Sequence, residues 1–402
     1  MEPPQSPIKE GFNHLYKADC KTGNMIGEGG RIYRSWSGGR CRILGGEKAD
    51  YCYHVMSRTC GGDYLFGNEE KEAFRKIMRR MARFCGVTVL TYAVMSNHFH
   101  ILARVPCRLR FLKRFDDQHG ESEGSGEERL MQHLSILYSK AYVTRVRKEL
   151  AWMREQHMEA DADKFLLKYK RRFCDLSLFI KEVKERFSRW FNKKHERRGT
   201  LWMDRFKSVL VENGEALRTM AAYIDLNAVR AGLVEDPKDY RWCGYAEAMG
   251  GSKQARRGLC RVMEKPLDSW GENRDWYRCW LIADAGIGAE QVESSSNSPT
   301  NPNNTTPPTK QPKTPPPPNS PHPQLKASIY QQLRTRIRYF TEGVALGSPE
   351  FINAWFELNR EKFSPHRLKS IPPEKNSNPD DPEATPGSGL YTLKGKIIIT
   401  DS

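Results

Sequence analysis

Between Tyr51 and Glu212 the hydrophobic pattern switches repeatedly between the two-residue repeat of a strand and the helical repeat of about 3.6 residues. The order of those segments restricts the fold more than any other property of the chain. "DYCYHVMSR" is rich in β-forming residues and reads as a strand. "NEEKEAFRKIMRRMARFCG" places Phe74, Ile77, Met78, Met81 and Phe84 on one helical stripe and is closed by Gly86. "VTVLTYAVM" and "HFHILARV" read as strands joined by a tight turn at "SN". A charged, partly helical insertion then occupies about 107–172, with "GESEGSGEE" as a loop. In "DLSLFIKEVKERFSRWFNKKH", Leu176, Ile180, Val183, Phe187 and Trp190 recur at helical spacing behind the capping residues Asp175 and Ser177. "RFKSVLVE" suits a last strand. The order β-α-β-β-α-β is that of a ferredoxin-like sheet, which predicts an α+β domain with helices on one face and the other face open for chemistry. A further helix, "GEALRTMAAYIDLNAVRAG", runs up to Gly232.

Composition divides the rest. Residues 1–45 are polar and Gly-rich and read as a loose arm, partly disordered, ahead of a main domain at 46–250 and a helical extension at 251–293. The Pro/Asn/Thr-rich stretch 294–326 has too little apolar surface to fold and reads as an extended linker. Residues 327–365 read as a small helical segment: Ser348, Pro349 and Glu350 make a good helix start, and Arg334, Arg336 and Arg338 alternate with apolar residues in a pattern that suits an added DNA-binding element. Residues 366–402 read as a mostly disordered tail. The chain of 402 residues carries 65 Lys+Arg against 49 Asp+Glu, a net +16, which favours a polyanionic partner, nucleic acid before acidic membrane. No apolar run approaches the roughly 20 residues of a membrane span, and "MEPPQSPIKEGFNH" lacks the apolar core of a secretory signal, so a cytoplasmic protein is expected. The 10 cysteines form no C-x-x-C pair, which argues for reduced thiols and against a zinc ribbon.

Within "AVMSNHFHIL", His98 and His100 stand at strand spacing, so both rings point to one face while Phe99 and Ile101 point to the other. Alone, the pair suits either two ligands of one metal ion or two histidines satisfied by hydrogen bonds on a polar face. In the last helix, Leu217, Met220, Ala221, Ile224, Ala228 and Ala231 form the apolar stripe, with Tyr223 and Asn227 one turn apart on its flank. A helical Tyr is usually the edge of a core, whereas Asn is a poor helix-interior residue and needs a local reason, such as completing a His-His-amide metal site.

With "VMSNHFHIL", "RRGTLWMDRFKSVLV" and "YIDLNAVRAGLVEDPKDYRWCGY", and with a "YHVMSR" start, the chain resembles the single-tyrosine HUH transposases (HUH meaning His-hydrophobic-His), especially the REP-associated tyrosine transposase-like branch. The resemblance spans roughly Tyr51 to Tyr245, with Ala228 where relatives often carry Pro. It implies that Tyr223 is the nucleophile and that His98, His100 and Asn227 hold Mg²⁺ or Mn²⁺. It further implies cleavage and rejoining of single-stranded DNA near hairpin ends through a 5′-phosphotyrosine, with no nucleotide cofactor, in a nucleoid-associated protein when DNA is bound. A monomer is favoured over a homodimer. Lys193, Lys194, Arg197, Arg198, Arg205 and Lys207 around Trp202 suit backbone contact plus base stacking, with Arg230 as a further DNA contact. The bland reading of the lysines is a solvated helix end. Two rival readings stay open: a nucleic-acid-binding protein of the same fold that has lost cleavage, and a metal-dependent phosphoesterase without a covalent step.

Overall fold

The structure is a computed structural model that describes residues 48–116, 125–285, 343–360, 363, 370 and 390–393, with three short strands at 16–19, 24–27 and 31–33. The expected linker at 294–326 and Arg334, Arg336 and Arg338 lie outside the described residues. The N-terminal strands, β1 (Tyr16–Asp19), β2 (Asn24–Gly27) and β3 (Arg31–Tyr33), pair antiparallel with one another.

The main domain follows the expected order. Strand β4 (Tyr51–Arg58) leads into α1 (Asn68–Cys85), β5 (Thr88–Val94) and β6 (His98–Val105). After the insertion come α6 (Leu176–Lys194) and β7 (Lys207–Val211). The sheet runs β5-β6-β4-β7 with every neighbouring pair antiparallel, the strand order of a ferredoxin-like fold. Helix α1 stops where Gly86 takes φ 70°, a conformation that costs glycine nothing. Helix α6 starts where the Asp175 carboxylate accepts the Leu178 N–H. Both helices pack on the sheet face that carries Phe99 and Ile101. There Phe74 and Phe99 meet at 4.7 Å between ring centroids, and Phe187 and Trp202 join them. The insertion, α2 (Arg108–Leu112), α3 (Gly126–Leu134), α4 (Lys140–Glu155) and α5 (Glu159–Lys170), adds Leu130, Leu134, Val146 and Leu166 to the same core.

The opposite face is not open. Helix α7 (Glu215–Asp225) lies across it, joined by α8 (Asn227–Arg230), α9 (Gly244–Met249), α10 (Lys253–Val262) and α11 (Trp270–Ala285), with Met220, Ile224, Tyr245, Leu259 and Tyr277 in a second core. The apolar stripe suggested a helix with one buried side. However, Ala216, Thr219, Ala222, Tyr223 and Asp225 are buried as well, because helices cover α7 from behind. Only Ala231 of the expected stripe is exposed.

The sheet also extends beyond β7. Strand β8 (Ala345–Gly347) pairs parallel with β7, and β9 (Tyr391–Leu393) pairs antiparallel with β8. The helix expected after Ser348 is α12 (Pro349–Leu358), where the Ser348 hydroxyl accepts the Phe351 N–H; Ile352 and Phe356 reach the first core. The described part of this segment is thus built into the main sheet. No described helix is long and apolar enough to cross a membrane.

Candidate active site

Strand β6 is central, and its register sets Arg58 opposite His98 and Met56 opposite His100. Both histidines point away from the Phe99 side and toward α7. His100 is buried and His98 half-buried. Their rings are perpendicular, 5.1 Å apart. Tyr223 is buried, its ring edge-on to His100 at 5.8 Å. Residues more than a hundred positions apart in sequence therefore share one small volume.

Helix α7 is anchored by a buried carboxylate two residues beyond the tyrosine. Asp225 accepts hydrogen bonds from the Thr91 hydroxyl (2.6 Å), the Tyr277 hydroxyl (2.7 Å) and the Tyr245 N–H (3.1 Å). Three donors from three elements hold it, and burial still raises its pKa to about 6. Asn227 is not in a helix interior, as its spacing suggested. Helix α7 ends at Asp225, Leu226 caps it, and Asn227 is the first residue of α8, a place where Asn is better tolerated. At that position Asn227 needs no metal to explain it; it still follows the tyrosine by one turn and is half-buried.

Arg230 returns from α8 over the tyrosine. Its guanidinium carbon lies 4.2 Å from the Tyr223 ring centroid, and Nη2 donates to the Tyr223 carbonyl at 2.6 Å. Its buried Nη1 has no hydrogen-bond partner among the described residues. Burial raises the Tyr223 pKa, and Arg230 pulls the other way. Burial brings His98 down to about 4, with Arg58 adding to the effect, and holds His100 well below its ordinary value. Both imidazoles are therefore neutral at physiological pH, the form that ligates metals. Among the described residues no group of three or more His, Cys, Asp or Glu side chains is placed to hold a metal ion. Two neutral imidazoles on one sheet face suit a divalent ion that keeps open positions for oxygen ligands.

The residues expected to touch DNA divide. Lys193, Arg197, Arg198, Arg205 and Lys207 are exposed. Lys194 is committed to Glu69 and Glu70, at 2.7 Å each. Trp202, expected to stack on bases, is 9% exposed, packs on Phe66, Phe74, Phe99 and Phe187, and donates Nε1–H to the Lys184 carbonyl. It secures the segment and offers no free face.

Sequence reasoning passed over three neighbours of the pair. His54 on β4 lies with Nε2 2.8 Å from His100 Nδ1, the ring planes 15° apart and the centroids 5.1 Å apart, an edge-to-edge pair. Asn97, read only as a turn residue, places Oδ1 2.7 Å from His98 Nδ1. Arg58 is exposed beside His98. The parity of "YHVMSR" could have found His54 and Arg58, because residues 54, 56 and 58 share one face of a strand.

An antiparallel β-α-β-β-α-β sheet with paired histidines on its central strand and a tyrosine helix across them defines an α+β domain built around a polar buried site. Residues 47–144 match the family described as "Transposase IS200 like". The match includes His98 and His100 and stops before Tyr223. Among solved structures, one described as "Structure of the REP associates tyrosine transposase bound to a REP hairpin" is similar at 13% identity and a TM-score of 0.31, over 59% of this chain and 90% of that one. No curated protein matches the chain.

Proposed function

We propose that this protein is a transposase of the REP-associated tyrosine type, which cleaves and rejoins single-stranded DNA at hairpin ends with Tyr223 as nucleophile. The observation that carries this reading is the packing of the Tyr223 ring against His100 within one chain, under the Arg230 guanidinium. The Tyr223 hydroxyl oxygen attacks the scissile phosphorus and gives up its proton, and the bond from phosphorus to the 3′ oxygen breaks. The 3′ oxygen leaves as a hydroxyl and the 5′ phosphate stays on the tyrosine. A 3′-hydroxyl then attacks that phosphorus, frees Tyr223 and reseals the strand, so the bond energy is conserved and no nucleotide is consumed.

His98, His100 and Asn227 would hold Mg²⁺ or Mn²⁺, which when bound polarises a phosphate oxygen and offsets charge building up in the transition state. Arg230 stabilises the developing phenolate, and its unpartnered Nη1 is suited to a phosphate oxygen. Arg58, exposed beside His98, suits the neighbouring phosphate. Arg197, Arg198, Arg205 and Lys207 track the backbone. Base stacking falls to Tyr64, 84% exposed on a loop fastened to the histidine turn by Asn97 Nδ2–H donating to Gly62 O and Phe66 N–H donating to Ser96 O. Because one chain supplies every group, a monomer suffices.

End-labelled hairpin oligonucleotides incubated with Mg²⁺ or Mn²⁺ test the reading. The wild type is expected to give a denaturation-resistant protein–DNA adduct, and Tyr223→Phe is expected to bind the DNA without forming it. Cleavage that survives Tyr223→Phe would point instead to a phosphoesterase. Binding without any cleavage by the wild type would point to a nucleic-acid-binding protein.

A further inference from the structure

We propose that His54 and Asn97 are positioning residues for the histidine pair, each accepting the Nδ1–H of one ring so that both rings keep a bare Nε2 with which to hold the metal. The inference rests on the metal reading above and concerns residues which that reading does not use.

The His98 half follows from the bonding of one amide. Asn97 Nδ2–H donates to the Gly62 carbonyl at 2.8 Å, which fixes the amide's orientation and directs Oδ1 at His98 Nδ1, 2.7 Å away. An amide oxygen only accepts, so the proton sits on His98 Nδ1 and Nε2 keeps its lone pair. The Gly62 carbonyl is itself held in a turn closed by Gly62 N–H donating to the Thr59 carbonyl, and Thr59 N–H donates to the Asn97 carbonyl. The orienting group is therefore fastened to the strand it serves.

For His100 the partner is a second imidazole. His54 Nε2 lies 2.8 Å from His100 Nδ1, both rings are buried, and their planes differ by 15°. Two neutral rings at this distance share one proton. The inference puts it on His100 Nδ1, with His54 Nε2 accepting, the same arrangement as at His98. Metal-bound histidines generally pass their other N–H to such an acceptor, which sets tautomer and ring direction and raises the basicity of the ligating nitrogen. His54 stands where it can do this because β4 and β6 pair with Met56 opposite His100, leaving His54 one strand step away on the same face.

Nuclear magnetic resonance of the metal-free chain labelled with ¹⁵N-histidine reads the tautomers, and a Mn²⁺ titration followed by electron paramagnetic resonance reads affinity. The expected result is that His98 and His100 are both Nδ1–H. His54→Phe is expected to weaken Mn²⁺ binding by about 10–100-fold, while His54→Gln, whose amide oxygen can still accept, stays within a few-fold of wild type. An Nε2–H tautomer at His100, or His54→Phe binding Mn²⁺ as wild type does, would overturn the inference alone. A wild-type chain that binds no Mn²⁺ would overturn the metal reading and this inference together. Should His54→Phe fail to fold, the wild-type tautomers still decide.

Discussion

Trp202 shows how far a residue's type can mislead about its task. Its neighbours are basic and it belongs to a segment rich in DNA-suited side chains, yet its ring is enclosed by Phe66, Phe74, Phe99 and Phe187. Truncating a large buried aromatic leaves a cavity as well as losing transfer energy. Trp202→Ala is therefore expected to lower stability by about 3–5 kcal/mol, measured by urea denaturation. A change within about 0.5 kcal/mol, the size usual for a surface substitution, would mean that the ring is a free platform after all. Alternation alone assigned Phe99 to the core and His98 and His100 to the far face, because strand parity depends on nothing outside the strand. Trp202 could not be assigned that way, since it precedes β7 in irregular chain and its burial depends on α1 and α6 closing over it.

At the level of elements, α7 carries the tyrosine, and Asp225 ties it to β5, α9 and α11. Burial raises the Asp225 pKa from 3.8 to about 6, so the folded chain holds this proton more tightly than the unfolded chain does. The stability linked to it is fully present below about pH 4 and is lost as pH rises through about 6, on the order of 3 kcal/mol in all. Measured as wild type minus Asp225→Asn, the free energy of unfolding is expected to decline between those values and level off above them. A flat difference would show that the carboxyl titrates as it does in the unfolded chain. The individual strands and the two helices under the sheet were legible because each repeats one period over enough residues to be distinct. The covering of the second face was not, since α9, α10 and α11 meet α7 only through tertiary contacts such as Tyr277 with Asp225. The break after Asp225 was hidden too, because "IDLNAV" keeps a helical spacing across it.

Across the whole molecule, the sheet is completed by chain from beyond residue 340: β8 pairs with the β7 edge and brings Leu346 into one core, while Val344, Ile352 and Phe356 enter the other. The Glu212 carboxylate secures the junction, accepting the Ser348 N–H at 2.6 Å and its hydroxyl at 3.1 Å. A chain ending at residue 293 would expose the β7 edge and those apolar contacts, and exposed edges invite self-association. It is expected to melt lower than the full chain and to sediment as aggregates; an unchanged melting temperature with a monomeric peak would show that the added strands are dispensable. The helix start at Ser348 was legible from its cap and proline. A three-residue strand whose partner lies more than a hundred residues earlier has too short a pattern to be seen.

The proposed function requires these distant segments to assemble one phosphoryl-transfer site around Tyr223. Its most direct test is mass spectrometry of the protein–DNA adduct formed on a hairpin substrate with Mn²⁺, after digestion of both components. A 5′-linked nucleotide is expected on the peptide containing Tyr223 and on no other. A nucleotide attached to a different residue, or cleavage with no attached nucleotide at all, would contradict it.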